Sequence, residues 1–221
     1  SYFVKMDEKI LEQTEEYYGR KVREFGATSK GVDWNSKESQ RIRFKQLEKI
    51  LCDEKRNRFS ICDYGCGYGY FSEYLKEKGY LYDYTGIDLS KDMIHCAVKE
   101  YGLQENVEFY CGVEIEGIYD YIIASGVFNI RLEVDNEKWK EYMIRILEQF
   151  HRCSRKGFAF NCLTKYSDLE YMKDYLYYGD PLFYFDYSKR HFSRNVALLH
   201  DYDLYEFTLL IKKDNLYHKL L

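Results

Sequence analysis

The chain has 221 residues, with 33 lysines and arginines against 37 aspartates and glutamates, for a formal net charge of −4. That length fits one domain with a full core. The basic residues are interleaved with acids and form no stripe, which excludes a binder of phosphate backbones and leaves nucleic acid out of the expected partners.

No apolar run approaches the roughly 20 residues of a membrane span, and the opening "SYFVKMDEKI" carries no apolar leader core, so a cytoplasmic protein without a membrane partner is expected. The seven cysteines are Cys52, Cys62, Cys66, Cys96, Cys111, Cys153 and Cys162. Their number is odd, no C-x-x-C pair occurs, and several sit inside apolar runs. Free thiols in a reducing compartment account for that pattern better than disulfides or a zinc site, so no metal is expected.

Residues 7–25 and 37–51 read as two helices joined by the polar loop "GATSKGVDWNSKES", and together they make a helical N-terminal cap over 1–55. An α/β core over 56–163 follows. "SICDY" (60–64) is a first strand, and Phe71, Tyr74, Leu75 and Lys78 fall at helical spacing behind it. "LYDYTGIDL" (81–89) is a second strand, with a helix over about Lys91–Tyr101. "NVEFYCG" (106–112) and "YDYIIASG" (119–126) are a third and fourth. Trp139, Tyr142, Met143, Ile146, Leu147 and Phe150 recur at i, i+3, i+4, i+7, i+8 and i+11, a helix capped by Asp135 or Asn136. "GFAFNCL" (157–163) is a fifth strand. A tyrosine-rich insertion over 164–195 is predicted to hold one or two short helices on the substrate side. The tail over 196–213 then reads as two strands closed by a tight turn. Strands alternating with helices imply right-handed crossovers and a sheet covered on both faces. The fold expected is a Rossmann-like three-layer αβα sandwich with a seven-stranded, mostly parallel sheet whose last strand is antiparallel.

"CDYGCGYGYF" (62–71) places glycines at 65, 67 and 69 where a strand gives way to a helix. Glycine costs roughly 0.5–1 kcal/mol against alanine inside an element, so the cluster marks sharp bending or close approach by a ligand. In an open parallel sheet, ligands bind beyond the carboxyl ends of the strands. The dinucleotide pattern G-x-G-x-x-G asks for glycine where Tyr70 stands, so a diphosphate fits poorly. Asp88 ends the second strand, where an acid can accept from both ribose hydroxyls; NAD and adenosine-type ligands satisfy it equally, and capping of the next helix is the plainer role.

The ordered set of motifs resembles class I S-adenosylmethionine (SAM)-dependent methyltransferases of the bacterial small-molecule type. "DYGCGYGYF" is similar to their glycine-rich first motif and "GIDLSKDMI" to the second. "NVEFYCGVEIEG" is similar to the third, "YDYIIASGVFN" to the fourth, and the terminal hairpin matches the family's last two strands. The resemblance implies that Asp63, Gly65, Cys66 and Gly67 approach the methionine end of SAM, with Asp63 on its ammonium group. It implies Asp88 on the ribose, Leu89 and Met93 around adenine, Gly112 and Val113 at the adenine edge, and Ser125 and Gly126 beneath the ribose–methionine junction. Many members carry aspartate where this chain has Val113, so Glu114 or a backbone group would have to serve the adenine amino group. Arg43, on "SQRIRFKQL" beside Gln40, is a candidate partner for the SAM carboxylate or a solvated side chain. Trp34 is a candidate lid over the cofactor or an anchor of its own loop.

The activity implied is methyl transfer from SAM, leaving S-adenosylhomocysteine (SAH), to an O or N atom of a small metabolite, sugar intermediate or secondary-metabolite precursor. A nicotinamide-dependent oxidoreductase and a non-catalytic SAM-binding protein are the rival readings. The [DN]PP[YF] tetrapeptide of enzymes that methylate nucleic-acid amines is absent; Ser125-Gly126-Val127-Phe128 stands there. The acceptor is expected beside Phe128, Asn129 and Arg131 and the insertion's Tyr177, Tyr178, Tyr184, Phe185 and Tyr187. His151, His191 and His200 are the available bases, and none is singled out as catalytic. The protein is expected to act as a monomer or homodimer.

Overall fold

The computed structural model describes residues 2–25, 36–51 and 54–214. Helices α1 (Tyr2–Phe25) and α2 (Lys37–Glu48) lead into β1 (Arg58–Tyr64), α3 (Tyr70–Glu77), β2 (Leu81–Asp88) and α4 (Lys91–Tyr101). Then come β3 (Val107–Cys111), β4 (Tyr119–Ala124), α5 (Asn136–Cys153) and β5 (Ser154–Leu163), followed by α6 (Pro181–His191), β6 (Asn195–Leu199) and β7 (Glu206–Lys212). All seven strands form one sheet in the order β3-β2-β1-β4-β5-β7-β6. Only β7 runs against the others: it pairs antiparallel with both β5 and β6. This is the Rossmann-like sandwich expected from the sequence.

The central strands are buried on both faces and are largely apolar, with alternate residues serving different layers, while the edge strands β3 and β6 are partly exposed. Along β1, Phe59 and Ile61 join Phe44, Phe71 and Leu75 in one core, while Cys62 and Tyr64 join the other. Phe158, Phe160 and Cys162 of β5 face Met143, Leu147 and Phe150 of α5. All six apolar residues read on the α5 stripe are buried, and Asp135 caps the helix through Lys138 N at 2.9 Å. At the carboxyl end of the sheet the α2-facing positions turn polar: Asp63 follows Ile61 on β1, and Asn161 follows Ala159 on β5. The chemistry of the molecule gathers at that edge.

The ends of the chain depart from expectation in two places. The connection between β6 and β7 is not a tight turn: residues 200–205 intervene, with Asp203 in the left-handed region at φ 57°. The insertion contains the expected short helix, α6, and a 3-10 turn over Leu169–Tyr171, but two of the tyrosines expected to face an acceptor pack as core. Tyr177 and Tyr184 are buried, and their hydroxyls bond each other at 2.5 Å. Two phenols that satisfy one another can enter an apolar layer at little cost. Arg131 clasps the same segment, with Nε donating to the carbonyl of Leu176 at 3.0 Å and further bonds to the carbonyls of Val134 and Asp174. The six described cysteines are free, and Cys52 lies outside the described residues. No described helix is long and apolar enough to cross a membrane.

Candidate active site

A cavity opens at the carboxyl edge between β1, β2 and β4, under α1 and α2. Its floor is the turn after β1. Gly65, Gly67 and Gly69 have φ of 70°, 56° and 87°, a left-handed run that side chains resist. A Cβ on Gly65 would also come within 2.4 Å of Val127 Cγ2, so this backbone can hug the β4 loop only as glycine. The turn is fixed from beneath, where the amides of Gly65 and Cys66 both donate to the carbonyl of Ile87, at 2.7 and 3.0 Å.

Asp88 ties this turn to the next one. Its Oδ2 accepts from Gly67 N and its Oδ1 from Ser90 N, both at 2.9 Å. The cap of α4 is Ser90, whose side chain accepts from Met93 N, so Asp88 is not the helix cap. Each carboxylate oxygen keeps a second lone pair for another donor. Burial pushes the Asp88 carboxyl up to about 6, against the backbone bonds that favour its charge. Asp63 is more extreme. It is 4% exposed, and burial raises it to about 7, with Tyr84's hydrogen bond lowering and Asp88's charge raising it further. Among the described residues no basic side chain acts on either acid. Two neighbouring acids raised toward neutrality make a site that favours a positively charged guest.

The walls differ along the cavity. On the β2–α4 side they are apolar, with Ile87, Leu89, Met93 and Gly112. On the α2 side Gln40, Phe44, Tyr68 and Tyr70 line it, and the Tyr68 hydroxyl donates to Gln40 Oε1 at 3.4 Å. Tyr68 and Tyr70 stack at 6.0 Å between ring centroids, so Tyr70 fills space with an aromatic ring where a dinucleotide loop would have none. Ser125 and Gly126 are held by Asn161, whose Oδ1 accepts from Gly126 N at 2.7 Å and whose Nδ2 donates to Ser125 Oγ at 3.1 Å.

Of the residues expected at the site, Asp63, Gly65, Cys66, Gly67, Asp88, Leu89, Met93, Gly112, Ser125 and Gly126 line this cavity. Val113 does not; its carbonyl accepts from the Tyr64 hydroxyl at 2.8 Å. Arg43 does not either. Its Nε donates to Glu206 Oε2 at 2.9 Å, so the guanidinium is committed to a carboxylate of β7. Trp34 lies outside the described residues. The insertion tyrosines expected around an acceptor also stay out of the cavity. None of His151, His191 and His200 lines it; His200 Nε2 meets Thr164 Oγ1 at 2.9 Å and His151 pairs with Lys213.

Thr14 and Tyr18 of α1, Val127, and Trp139 and Tyr142 of α5 complete the walls without having been anticipated. Thr14 and Tyr18 lie four apart, in line with the buried Ile10, which marks one helix face but not what that face covers. Trp139 and Tyr142 were legible as buried positions of α5, and their exposure to a cavity was not.

A twisted sheet in this order, with a glycine turn after the first strand and an acid closing the second, defines the class: a Rossmann-like methyltransferase fold. A family model described as a methyltransferase domain matches residues 11–198. A Mycobacterium tuberculosis protein named as a methyltransferase, Rv1506c, is 48% identical over 155 residues, covering 70% of this chain and 93% of that one. Among solved structures, the complex of DhpI with SAM and HEP superposes with a TM-score of 0.61 at 16% identity, covering 91% of this chain and 96% of that one. The plantazolicin methyltransferase BpumL, solved with SAH and a monoazolic desmethylPZN analog, gives 0.59 at 19% identity, covering 95% and 99%. The chain belongs to the methyltransferase family.

Proposed function

We propose that this protein binds SAM in the cavity at the carboxyl edge of the sheet and moves its methyl group to an O or N atom of a small molecule. The observation that carries the reading is the pair of acids. Asp63 and Asp88 border one cavity, both are raised toward neutrality by burial, and among the described residues no basic side chain acts on either. Asp63 fits an ammonium group, and Asp88 has lone pairs for two hydroxyls in addition to its backbone donors. Leu89, Met93 and Ile87 offer the apolar slot that an adenine ring needs.

SAM supplies a methyl group on a sulfonium centre, whose departure requires no acid from the protein. The chain's contribution is to orient and to exclude water, effects worth up to about 7–11 kcal/mol in well-aligned systems. The glycine turn is tied to Ile87 and the Ser125–Gly126 backbone to Asn161, and Thr14, Tyr18 and Gln40 line the cavity from α1 and α2. Solved structures of similar fold hold SAM or SAH, and one of them also holds a monoazolic desmethylPZN analog, which supports a small acceptor with a ring face. Family membership and Tyr70 set aside a nicotinamide cofactor.

Incubation with methyl-labelled SAM and a metabolite extract is expected to transfer label to a small product whose mass identifies the acceptor. SAM binding without transfer to any extract component would instead favour a non-catalytic SAM-binding protein. Asp88→Ala is expected to weaken SAM binding by about 1–3 kcal/mol, read by calorimetry, through lost charge-assisted bonds. Unchanged affinity would place the ribose elsewhere.

A further inference from the structure

One side chain outside the cavity wall touches an acid that lines it. Tyr84 of β2 is 1% exposed, with its ring packed edge-on to Phe109 at 5.7 Å, and its hydroxyl donates to Asp63 Oδ2 at 2.5 Å. The sheet register explains how a residue deep in the strand reaches an acid at the edge. Tyr84 pairs with Ile61, and two residues on, Gly86 pairs with Asp63. Tyr84, Gly86 and Asp63 therefore share one face, with the tyrosine diagonal to the acid, a separation that a long aromatic can span. Gly86 makes the passage. A Cβ there would meet Phe109 at 2.6 Å and Cys66 Sγ at 2.9 Å, so the missing side chain leaves room for Phe109, the ring on which Tyr84 packs.

The bond occupies one oxygen of Asp63. Asp63 lines the cavity, and the hydroxyl of Tyr84 fixes the carboxylate from its Oδ2 side. We propose that Tyr84 is a positioning residue for the amino-acid end of the cofactor: its hydroxyl holds Oδ2 of Asp63 and thereby presents Oδ1 to the ammonium group. The proposal rests on the SAM reading above. Deleting the hydroxyl frees the carboxylate to rotate and withdraws a donor that favours its charged form. The other titratable groups around the acid are Cys62 beside it on β1, Asp88 on β2 and Cys66 in the glycine turn. None of them supplies a replacement cation. Burial holds the free acid near neutrality, and the Tyr84 bond works against that rise.

Tyr84→Phe keeps the ring against Phe109 and removes only the oxygen. Calorimetry with three probes between pH 6 and 9 separates the outcomes: SAM, SAH, and 5′-methylthioadenosine, which carries the adenosine but no amino-acid end. Tyr84→Phe is expected to bind SAM and SAH roughly tenfold more weakly at pH 8, the loss of a hydrogen bond to a charged group. The pH at which SAM affinity falls off is expected to move upward, while 5′-methylthioadenosine binds both proteins equally and so reports that the variant is folded. Equal SAM affinity and an unshifted pH profile would overturn the proposal, and so would an equal loss for 5′-methylthioadenosine, which would mark Tyr84 as core packing only. Failure of the unsubstituted protein to bind any of the three probes would refute the SAM reading itself.

Discussion

Asp63→Asn is expected to bind SAM roughly ten- to hundredfold more weakly than the unsubstituted protein above pH 8, with the difference shrinking as the pH falls toward 6. The acid is held at about 7 in the free protein, so near neutrality a substantial fraction of molecules carries a proton there. Binding an ammonium group requires the carboxylate. Below pH 7 the unsubstituted protein must therefore release a proton to bind, and its affinity drops by up to about tenfold per pH unit. Asparagine cannot ionise, so the variant's affinity stays low and nearly flat in that window. Stability runs the other way. An unfolded aspartate titrates near 3.9, well below the folded value, so the folded chain holds this proton more tightly. The contribution of Asp63 to stability is then fully present below about pH 4 and is lost as the pH rises through about 7. Asp63→Asn is expected to melt above the parent at pH 8 in the absence of ligand and to lose that advantage near pH 4. A parent protein whose SAM affinity ignores pH between 6 and 8 would show that Asp63 does not face the ammonium group.

Arg43→Met is expected to destabilise the fold by about 3–5 kcal/mol while leaving SAM affinity unchanged in the molecules that remain folded. Arg43 and Glu206 form a buried pair, with side chains 10% and 1% exposed, and Glu206 Oε1 is buried without a hydrogen-bond partner. Without the guanidinium, the carboxylate of Glu206 is left in a low-dielectric layer beside α2. Burial already raises its pKa and Arg43 opposes the rise, so the variant regains stability as acid protonates Glu206. At about 2–4 °C per kcal/mol for a chain of this size, the melting temperature falls by roughly 6–20 °C at pH 8. Arg43→Met combined with Glu206→Leu removes both charges and is expected to recover most of the loss. SAM binding discriminates the structural role from the expected one. A large fall in affinity with little change in melting would return Arg43 to the cofactor's carboxylate.

Arg43 also shows where the sequence stops being informative. It lies three residues from Gln40 on α2, and spacing alone assigns both to neighbouring positions of one face. Gln40 turns to the cavity and Arg43 to β7 because β7 pairs with β5 there, Leu163 opposite Glu206, a contact that no local pattern encodes. The glycine turn and Asp88 were legible because their chemistry is local. A left-handed backbone demands glycine, and an acid at a strand end is conspicuous. The central strands β1, β4 and β5 were legible because burial on both faces makes them largely apolar. Tyr177 and Tyr184 misled for the opposite reason. A phenol looks like a rim residue until its hydroxyl is seen to be matched by another phenol in the core. Thr14 and Tyr18 are ordinary helix residues whose importance comes only from what α1 is laid across.

The cavity draws its walls from Thr14 at one end of the sequence to Tyr142 well past its middle, through α1, α2, the turn after β1, the β2–α4 junction, the end of β4 and α5. Such a site exists only while all of these segments are in place, so local opening of any one of them abolishes it. A ligand that fills it therefore acts as a brace on distant parts of the chain at once. At a free concentration one hundred times its dissociation constant, it adds about 2.7 kcal/mol against every unfolding event that breaks the site. Ligand binding is thereby expected to slow proteolysis of the chain, because cleavage proceeds through opened forms that the ligand disfavours.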